Sequence, residues 1–164
     1  MTGADQRKIV GLGEYAVIDG SGTISALGLG SCVAVILHDT AGRVGAMAHV
    51  LLPAQSLTRG RNIPARAADT AVPLLVAQMR ERGAVLERTH ARLVGGSTMF
   101  GDLLPTGSVH IGERNVLACR TALRQAGVPI VAEAVGGRAG RSVIFDVGTG
   151  TVTVRVVGRE PVEL

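Results

Sequence analysis

Aromatic side chains are almost missing from this sequence, which has one tyrosine, two phenylalanines and no tryptophan among its 164 residues. Hydrophobic residues nevertheless make up 46% of the chain, so its core must be built mainly from Val, Leu, Ile and Ala. A chain of this length and hydrophobicity can bury the core of one domain. We therefore expect a single domain that spans residues 1–164.

The lack of aromatics also limits what the positive charge can mean. The net charge is +4 and the isoelectric point lies near 10.0, and the arginines are scattered apart from a denser stretch between Arg59 and Arg66. Surfaces that bind nucleic acid usually combine basic residues with aromatic ones on which the bases stack. We therefore expect no nucleic-acid partner. A mild positive field would equally attract an acidic protein.

Cysteines and long apolar runs are scarce as well. Cys32 and Cys119 are too few for a disulfide framework, and no Cys-x-x-Cys pair suggests a zinc site. No apolar run approaches the ~18 residues that a membrane helix needs. Residues 1–6 are not followed by the apolar segment of a signal peptide. The sequence predicts a cytoplasmic protein without membrane insertion, in which a free thiol stays reduced.

Short apolar runs separated by glycine-rich turns predict that strands dominate the chain. The continuous run from Val33 to Leu37 is typical of a strand buried on both faces, and a second run extends from Val44 to Leu52. Near the C-terminus, the segments 142–147 and 151–157 flank Gly148-Thr149-Gly150 and predict a hairpin. Further strands are predicted within residues 8–18, 23–27, 91–94 and 129–135.

Two helices are predicted from apolar residues that recur with helical spacing. The first begins near Asp69 or Thr70, because Pro73 is best tolerated in a first turn, and it ends at Gly83. The second ends at Gly127 and places an apolar stripe on one face, formed by Val116, Cys119 and Leu123. Residues 54–64 read as a surface loop, and residues 97–111 look irregular. Hairpins mixed with two helices predict an α+β fold with mixed or antiparallel sheets.

Cys32 is the first candidate for chemistry. It directly follows Gly28, Gly30 and Ser31, a glycine-punctuated bend in which free backbone amides can point at a developing oxyanion. A thiol becomes a useful nucleophile when a base lies nearby. Position alone also fits, and somewhat favours, a small buried residue that begins a core strand.

His49 is the candidate base. It is the only polar side chain in the apolar run from Val44 to Leu52, where it could also be a core histidine bonded to a backbone carbonyl. The turn at residues 39–42 predicts that the strands before and after it pair side by side. Cys32 and His49 then lie at the far ends of this hairpin, where pairing would bring them together as a Cys–His dyad requires.

The remaining candidates have weaker support. Ser97 follows two glycines, but Met99 occupies the place of the last glycine in a G-x-S-x-G elbow. Cys119 lies on the apolar stripe of its helix and is expected in the core. Three isolated histidines at loop-like positions are expected on the surface, namely His38, His90 and His110.

Several segments resemble, in order and spacing, those of the CheD family of chemoreceptor glutamine deamidases. The resemblance covers nearly the whole chain, and its most specific parts contain Cys32 and His49. The segments are residues 11–17, 27–35, 45–53, 68–72, 95–96, 99–100, 111–115 and 136–141.

This resemblance implies a function in chemotaxis adaptation. CheD proteins hydrolyse the side-chain amide of selected glutamines on chemoreceptor cytoplasmic domains to glutamate and ammonia, and they need no cofactor or metal. The family has a mixed, sandwich-like fold similar to that of deamidating bacterial toxins. In some organisms the phosphatase CheC binds CheD and competes with the receptors. By position, Cys32 would be the nucleophile, His49 the base, and the loop at Gly28, Gly30 and Ser31 the oxyanion or substrate loop.

One departure concerns the third member of the family triad. The family threonine corresponds to Ala26, which cannot accept a hydrogen bond. Ser25 should point to the opposite face of a strand, and Thr23 does not share the face of Ala26 without a bulge. A backbone carbonyl could orient the imidazole instead. Two hypotheses stay open: a cysteine hydrolase acting on protein-bound glutamine, and a non-catalytic adaptor that binds receptors or a CheC-like phosphatase.

Overall fold

The computed structural model describes residues 5–99 and 110–164, in which ten strands form two five-stranded sheets and two α-helices cover one of them. In chain order the elements are β1 (Gln6–Ile9), β2 (Tyr15–Asp19), β3 (Gly22–Leu29), β4 (Val33–Asp39), β5 (Val44–Val50), α1 (Ala68–Glu81), β6 (Thr89–Gly95), α2 (Ile111–Ala126), β7 (Ile130–Val135), β8 (Arg141–Asp146), β9 (Val152–Arg155) and β10 (Val162–Glu163). Short 3₁₀ helices occur at Gln55–Thr58, Pro64–Arg66 and Leu86–Arg88.

The central sheet has the strand order β2-β5-β4-β6-β7. Strand β4 pairs antiparallel with both β5 and β6, and β6 pairs parallel with β7. All seven residues of β4 and all seven of β5 are buried, because one face of the sheet packs against the helices and the other against the second sheet. This double burial explains why their sequences are continuous apolar runs and do not alternate.

The outer sheet has the order β1-β3-β8-β9-β10 and also mixes parallel and antiparallel pairs. Strand β3 alternates between buried and half-exposed residues over its first half, as a strand with one solvent-facing side should. Phe145 of β8 is fully buried between the sheets. There its ring lies so close to Gly45 of β5 that a side chain at that position would overlap with it.

The layers are therefore helices, central sheet and outer sheet, with a hydrophobic core at each of the two interfaces. This confirms the predicted α+β class with sandwich-like mixed sheets. The strand and helix predictions are confirmed within a few residues at each end. The first predicted strand is divided into β1 and β2 around residues 10–14. Pro73 lies just beyond the first turn of α1, which begins at Ala68. Of the region expected to be irregular, residues 100–109 lie outside the described residues.

The prediction of surface histidines was wrong for His38. Strand β4 continues through His38 and ends at Asp39, so the side chain of His38 points between the sheets and is only 2% exposed. Its Nε2 lies 3.1 Å from the carbonyl oxygen of Val147, and its ring meets Phe145 edge-on. His90, on the neighbouring strand, contacts the ring of His38 and is half-buried. His110 is also half-buried, at the position before the first turn of α2. Burial of Cys119 confirms its predicted place in the core.

Candidate active site

The pairing of β4 with β5 brings Cys32 and His49 to the same region. Ala34 lies opposite His49, and Cys32 stands two residues before Ala34. Side chains two residues apart in a strand point to the same face, so Cys32 and His49 both face the outer sheet. Consistently, Cys32 packs against the hydrophobic core between the two sheets. The predicted juxtaposition of the thiol and the imidazole therefore rests on strand register.

The imidazole of His49 is held in one tautomer. Its Nδ1 lies 3.0 Å from the carbonyl oxygen of Val10. Because a carbonyl oxygen only accepts, Nδ1 must carry the hydrogen, and in the neutral ring Nε2 is then the acceptor. His49 is 3% exposed, and its Nε2 has no hydrogen-bond partner among the described residues. A buried nitrogen with a free lone pair is what a general base needs.

The backbone of His49 is fixed as firmly as its ring. Its N–H donates to the carbonyl oxygen of Glu14, and its carbonyl oxygen accepts from the N–H of Gly13, both at 3.0 Å. Val10, which orients the ring, donates its own N–H to the carbonyl oxygen of Ser25 at 2.8 Å. The segment after β1 therefore connects His49 to strand β3 through backbone bonds alone.

The three positions considered for a third catalytic side chain lie on β3. Ala26 is fully buried on the inner face, and Thr23 and Ser25 are half-exposed residues of the opposite face. The pairing of β3 with β8 is regular between Thr23 and Ala26, so no bulge turns either hydroxyl inward. The group that meets Nδ1 is the Val10 carbonyl, which no side-chain pattern could have revealed.

The loop before Cys32 is fixed by its carbonyl groups. The carbonyl oxygens of Gly30 and Cys32 accept from the N–H groups of Ser97 and Gly96, each at 2.8 Å. The N–H groups of Gly30, Ser31 and Cys32 have no hydrogen-bond partner among residues 5–99 and 110–164. Gly28, in contrast, donates its N–H to Oγ of Ser142 at 3.1 Å. In the loop predicted to hold an oxyanion, the N–H groups next to Cys32 are therefore available as hydrogen-bond donors.

Cys32 is partly exposed and is not hydrogen-bonded to His49 among the contacts of the described residues. Burial raises the pKa of the Cys32 thiol above its ordinary value. A raised thiol pKa favours the protonated form, so the free protein should hold a neutral Cys32 thiol near pH 7. Proton transfer to His49 would then accompany attack on a substrate.

Comparison with known proteins identifies the family of this chain. A family model described as CheD chemotactic sensory transduction matches residues 51–156, well over half of the chain. The chain is 43% identical, over 152 residues and 93% of each protein, to the chemoreceptor glutamine deamidase CheD of Thermotoga maritima. It is 41% identical, over 155 residues and 94% of each protein, to a protein of Pyrococcus abyssi named "Probable chemoreceptor glutamine deamidase CheD".

The chain belongs to the CheD family. A protein of Geobacter metallireducens named "Probable chemoreceptor glutamine deamidase CheD 2" is 40% identical over 155 residues, 94% of this chain and 95% of the relative. The segment matched by the CheD family model begins at residue 51, after Cys32 and His49, whereas these pairwise similarities cover more than nine-tenths of the chain.

A cleft of about 360 Å³ adjoins the cysteine loop of this CheD protein and is lined in part by Ser31, Ser97, Met99 and His110. Ser97 is 1% exposed, and its hydroxyl has no hydrogen-bond partner among the described residues. The cleft lies next to the residue that precedes Cys32, so it belongs to the same end of the central sheet as the dyad.

The part of this CheD chain that the structure describes contains no group of three His, Cys, Asp or Glu residues that could hold a metal ion. No helix within the same residues is long and apolar enough to cross a membrane.

Asn115 is the polar residue of this region whose contacts the sequence did not predict. It lies on α2, is fully buried, and reaches the backbone beside both Cys32 and His49. In the sequence it ends the CheD-like segment 111–115 and directly precedes Val116, which begins the apolar stripe of α2, but neither feature predicts these contacts.

Proposed function

We propose that this chain is a chemoreceptor glutamine deamidase, which hydrolyses side-chain amides of protein-bound glutamine to glutamate and ammonia. The relatives named for this activity supply the reaction and the substrate. The observation that supports it best is the state of His49. Its Nδ1–H is donated to the Val10 carbonyl, which leaves Nε2 as an acceptor on the face that also carries Cys32.

In the first half of the reaction, Nε2 of His49 takes the proton of the Cys32 thiol as the sulfur attacks the amide carbon of the glutamine side chain. The carbonyl oxygen gains negative charge and is held by the free N–H groups of the loop from Gly30 to Cys32. The protonated imidazole then gives its proton to the amide nitrogen. The C–N bond breaks, ammonia leaves, and a thioester joins the substrate to Cys32.

In the second half, a water molecule replaces ammonia. His49 takes a proton from the water as its oxygen attacks the thioester carbon, and the same oxyanion donors hold the second tetrahedral intermediate. The C–S bond breaks and the sulfur regains a proton from His49. The products are a glutamate side chain and the original thiol. The net change is the addition of one water and the loss of one ammonia.

We also propose that residues 1–164 form a single domain, which the packing of the two sheets and the helices supports. We place it in the cytoplasm, where chemoreceptor cytoplasmic domains are accessible and the thiol stays reduced. A phosphatase of the CheC type is proposed as a second protein partner. A phosphatase that competes with receptors would bind the surface around Cys32 and His49.

Mass spectrometry of a chemoreceptor cytoplasmic fragment tests the activity directly. The fragment is incubated with the wild-type protein and with Cys32→Ala and His49→Ala, and Cys119→Ala serves as a control for loss of the other, buried thiol. Each deamidation adds about one dalton and releases one ammonia, because an amide becomes a carboxylate. We expect the wild-type protein and Cys119→Ala to deamidate the fragment, and the other two variants to leave it unchanged. Equal conversion by Cys32→Ala would contradict the proposal.

A second candidate is an adaptor that binds receptors without modifying them. Two observations favour it: Ala26 stands in place of the family threonine, and Cys32 has no hydrogen bond to His49. An adaptor would bind the receptor fragment with the same affinity in wild-type and Cys32→Ala proteins and would release no ammonia. Binding without any mass change in the fragment would therefore decide for the adaptor.

A further inference from the structure

Asn115 connects the two chain segments that carry the dyad. Its Nδ2 donates to the carbonyl oxygen of Ser31 and to the carbonyl oxygen of Leu51, both at 2.9 Å. Ser31 directly precedes Cys32, and Leu51 follows His49 by two residues. Both acceptors are carbonyl oxygens, so the amide orientation is determined by chemistry. The Asn115 side chain is fully buried, so water does not compete for either hydrogen bond, and losing one would be costly.

The hydrogen bonds of Asn115 to Ser31 and to Leu51 differ in how strongly each acceptor segment depends on them. The end of β5 is held independently, because the N–H groups of Leu51 and Leu52 both donate to the carbonyl oxygen of Arg66. His49 has its own backbone bonds to the segment at residues 13–14. The carbonyl of Ser31, in contrast, has Asn115 as its one hydrogen-bond partner among the described residues. Loss of Asn115 should therefore disturb the cysteine loop more than the histidine strand.

The peptide between Ser31 and Cys32 couples the hydrogen bond from Asn115 to the direction of the Cys32 N–H. The described residues contain no cis peptide bond, and in a trans peptide the C=O and the following N–H point in opposite directions. Asn115 holds the Ser31 C=O toward α2, on the helix-covered side of the central sheet. The Cys32 N–H must then point away from Asn115 and α2. This N–H has no partner among the described residues.

We propose that Asn115 is a positioning residue of the active site, which orients the Ser31–Cys32 peptide so that the Cys32 N–H serves as an oxyanion donor. This proposal rests on the proposed deamidase function. It assigns Asn115 no contact with the substrate and no part in proton transfer. An oxyanion donor stabilises charge that develops only in the transition state, so its misorientation lowers kcat and leaves substrate binding nearly unchanged.

The test compares Asn115→Asp, which keeps the shape and loses both donated hydrogens, with Asn115→Ala, which adds no buried carboxyl. Cys119→Ala is the matched control, because Cys119 lies one turn along α2, is equally buried and faces the helix-side core. It contributes neither of the Asn115 bonds. The thermal midpoint of each variant is measured first, and kinetics are run where each is folded. The measurements are kcat and KM for the receptor fragment, the pH dependence of Cys32 alkylation by iodoacetamide, and the amide cross-peak of Cys32 in ¹⁵N-labelled protein.

We expect kcat to fall about 100-fold in both Asn115 variants, as for the loss of one oxyanion donor, with KM within about threefold of wild type. The alkylation profile should stay unchanged, since alkylation develops no oxyanion. The Cys32 cross-peak should shift in both Asn115 variants and not in Cys119→Ala. A kcat loss no larger than that of Cys119→Ala would overturn the proposal, and so would an altered alkylation profile. If the wild-type protein releases no ammonia, the proposed deamidase function is wrong. The Cys32 cross-peak still tests the positioning role in that case, because an unshifted cross-peak in the Asn115 variants would overturn it.

Discussion

At the scale of single residues, the proposed dyad has a buried histidine that a backbone carbonyl orients in place of a third side chain. The Val10 carbonyl selects the tautomer of His49 and leaves Nε2 free to accept a proton. The partner thiol stays neutral because burial raises its pKa. A protonated thiol is a poor nucleophile, which limits unwanted reactions of Cys32.

Ala26→Thr restores the family residue and tests whether a hydroxyl is missing. We expect kcat to change by less than about threefold, because Nδ1–H of His49 already has an acceptor in Val10. A hydroxyl at this fully buried position should lower the free energy of unfolding by about 1–3 kcal/mol where it finds no partner. Ala26→Val is the control of equal volume, and stability is measured by urea unfolding. A rate increase of tenfold or more in the Thr variant alone would show that the hydroxyl was needed.

At the scale of elements, the site depends on the end of β6 as much as on β4 and β5. Gly95 has φ near +117°, and a Cβ at this position would lie 2.2 Å from the carbonyl oxygen of Cys32. The next residue, Gly96, donates its N–H to that same oxygen. Glycine is therefore needed here both for its backbone angle and for the close approach of two chains.

Gly95→Ala should destabilise the protein and slow the reaction, because the added methyl group must push the Cys32 carbonyl away from Gly96. We compare it with Gly83→Ala, whose φ is near +88° and whose Cβ would meet nothing within 4 Å. Both variants carry a backbone penalty of about 1–3 kcal/mol, and only Gly95→Ala adds the clash. Thermal unfolding and deamidation rates are measured for both. Equal effects of the two substitutions would contradict a special role of Gly95.

Most elements could be predicted from the sequence, because the core is apolar and its periodicity follows the strands and helices. The register between Cys32 and His49 followed from a short turn that joins two strands. The boundary of β4 was harder, since His38 is polar yet continues the strand between the two sheets. A backbone carbonyl was considered as the group that orients His49, but its identity as that of Val10 could not be predicted, and neither could the contacts of Asn115. The Val10 contact uses a backbone atom, and the Asn115 contacts depend on how α2 packs on the sheet.

At the scale of the whole molecule, β4 runs from the candidate active site to a partly buried ion pair at its other end. Asp39 is fully buried and contacts the Arg88 guanidinium at 3.0 Å. Burial opposes ionisation of Asp39, but bonds from Arg88 and from the N–H groups of Val85 and Gly42 outweigh it and lower the pKa to about 2. Asp39 lies seven residues after Cys32, which corresponds to about 23 Å along an extended strand. Stability at one end can therefore be altered without touching the chemistry at the other.

This lowered pKa predicts acid sensitivity of folding. The folded-state pKa of Asp39 lies below its unfolded value, so its contribution is complete above about pH 4 and is lost as the pH falls toward 2. We expect about 1–2 kcal/mol from this group, a value reduced because the Arg88 side chain is 45% exposed. Urea unfolding of wild type and Asp39→Asn is measured from pH 2 to pH 6. A difference between the two proteins that does not shrink at low pH would contradict the assignment.

The Val10 carbonyl has a consequence for how this site tolerates mutation. Every amino acid supplies the same main-chain oxygen, so no replacement at position 10 deletes the group that orients His49, provided that the segment keeps its path. An orienting threonine, in contrast, is lost through a single codon change. A catalytic contact made by the main chain is thereby protected from point mutation and invisible to any comparison of residue identities. Only a change of the main chain itself can weaken or displace it, such as an amide-to-ester replacement of the peptide after Val10 or a deletion within residues 10–14.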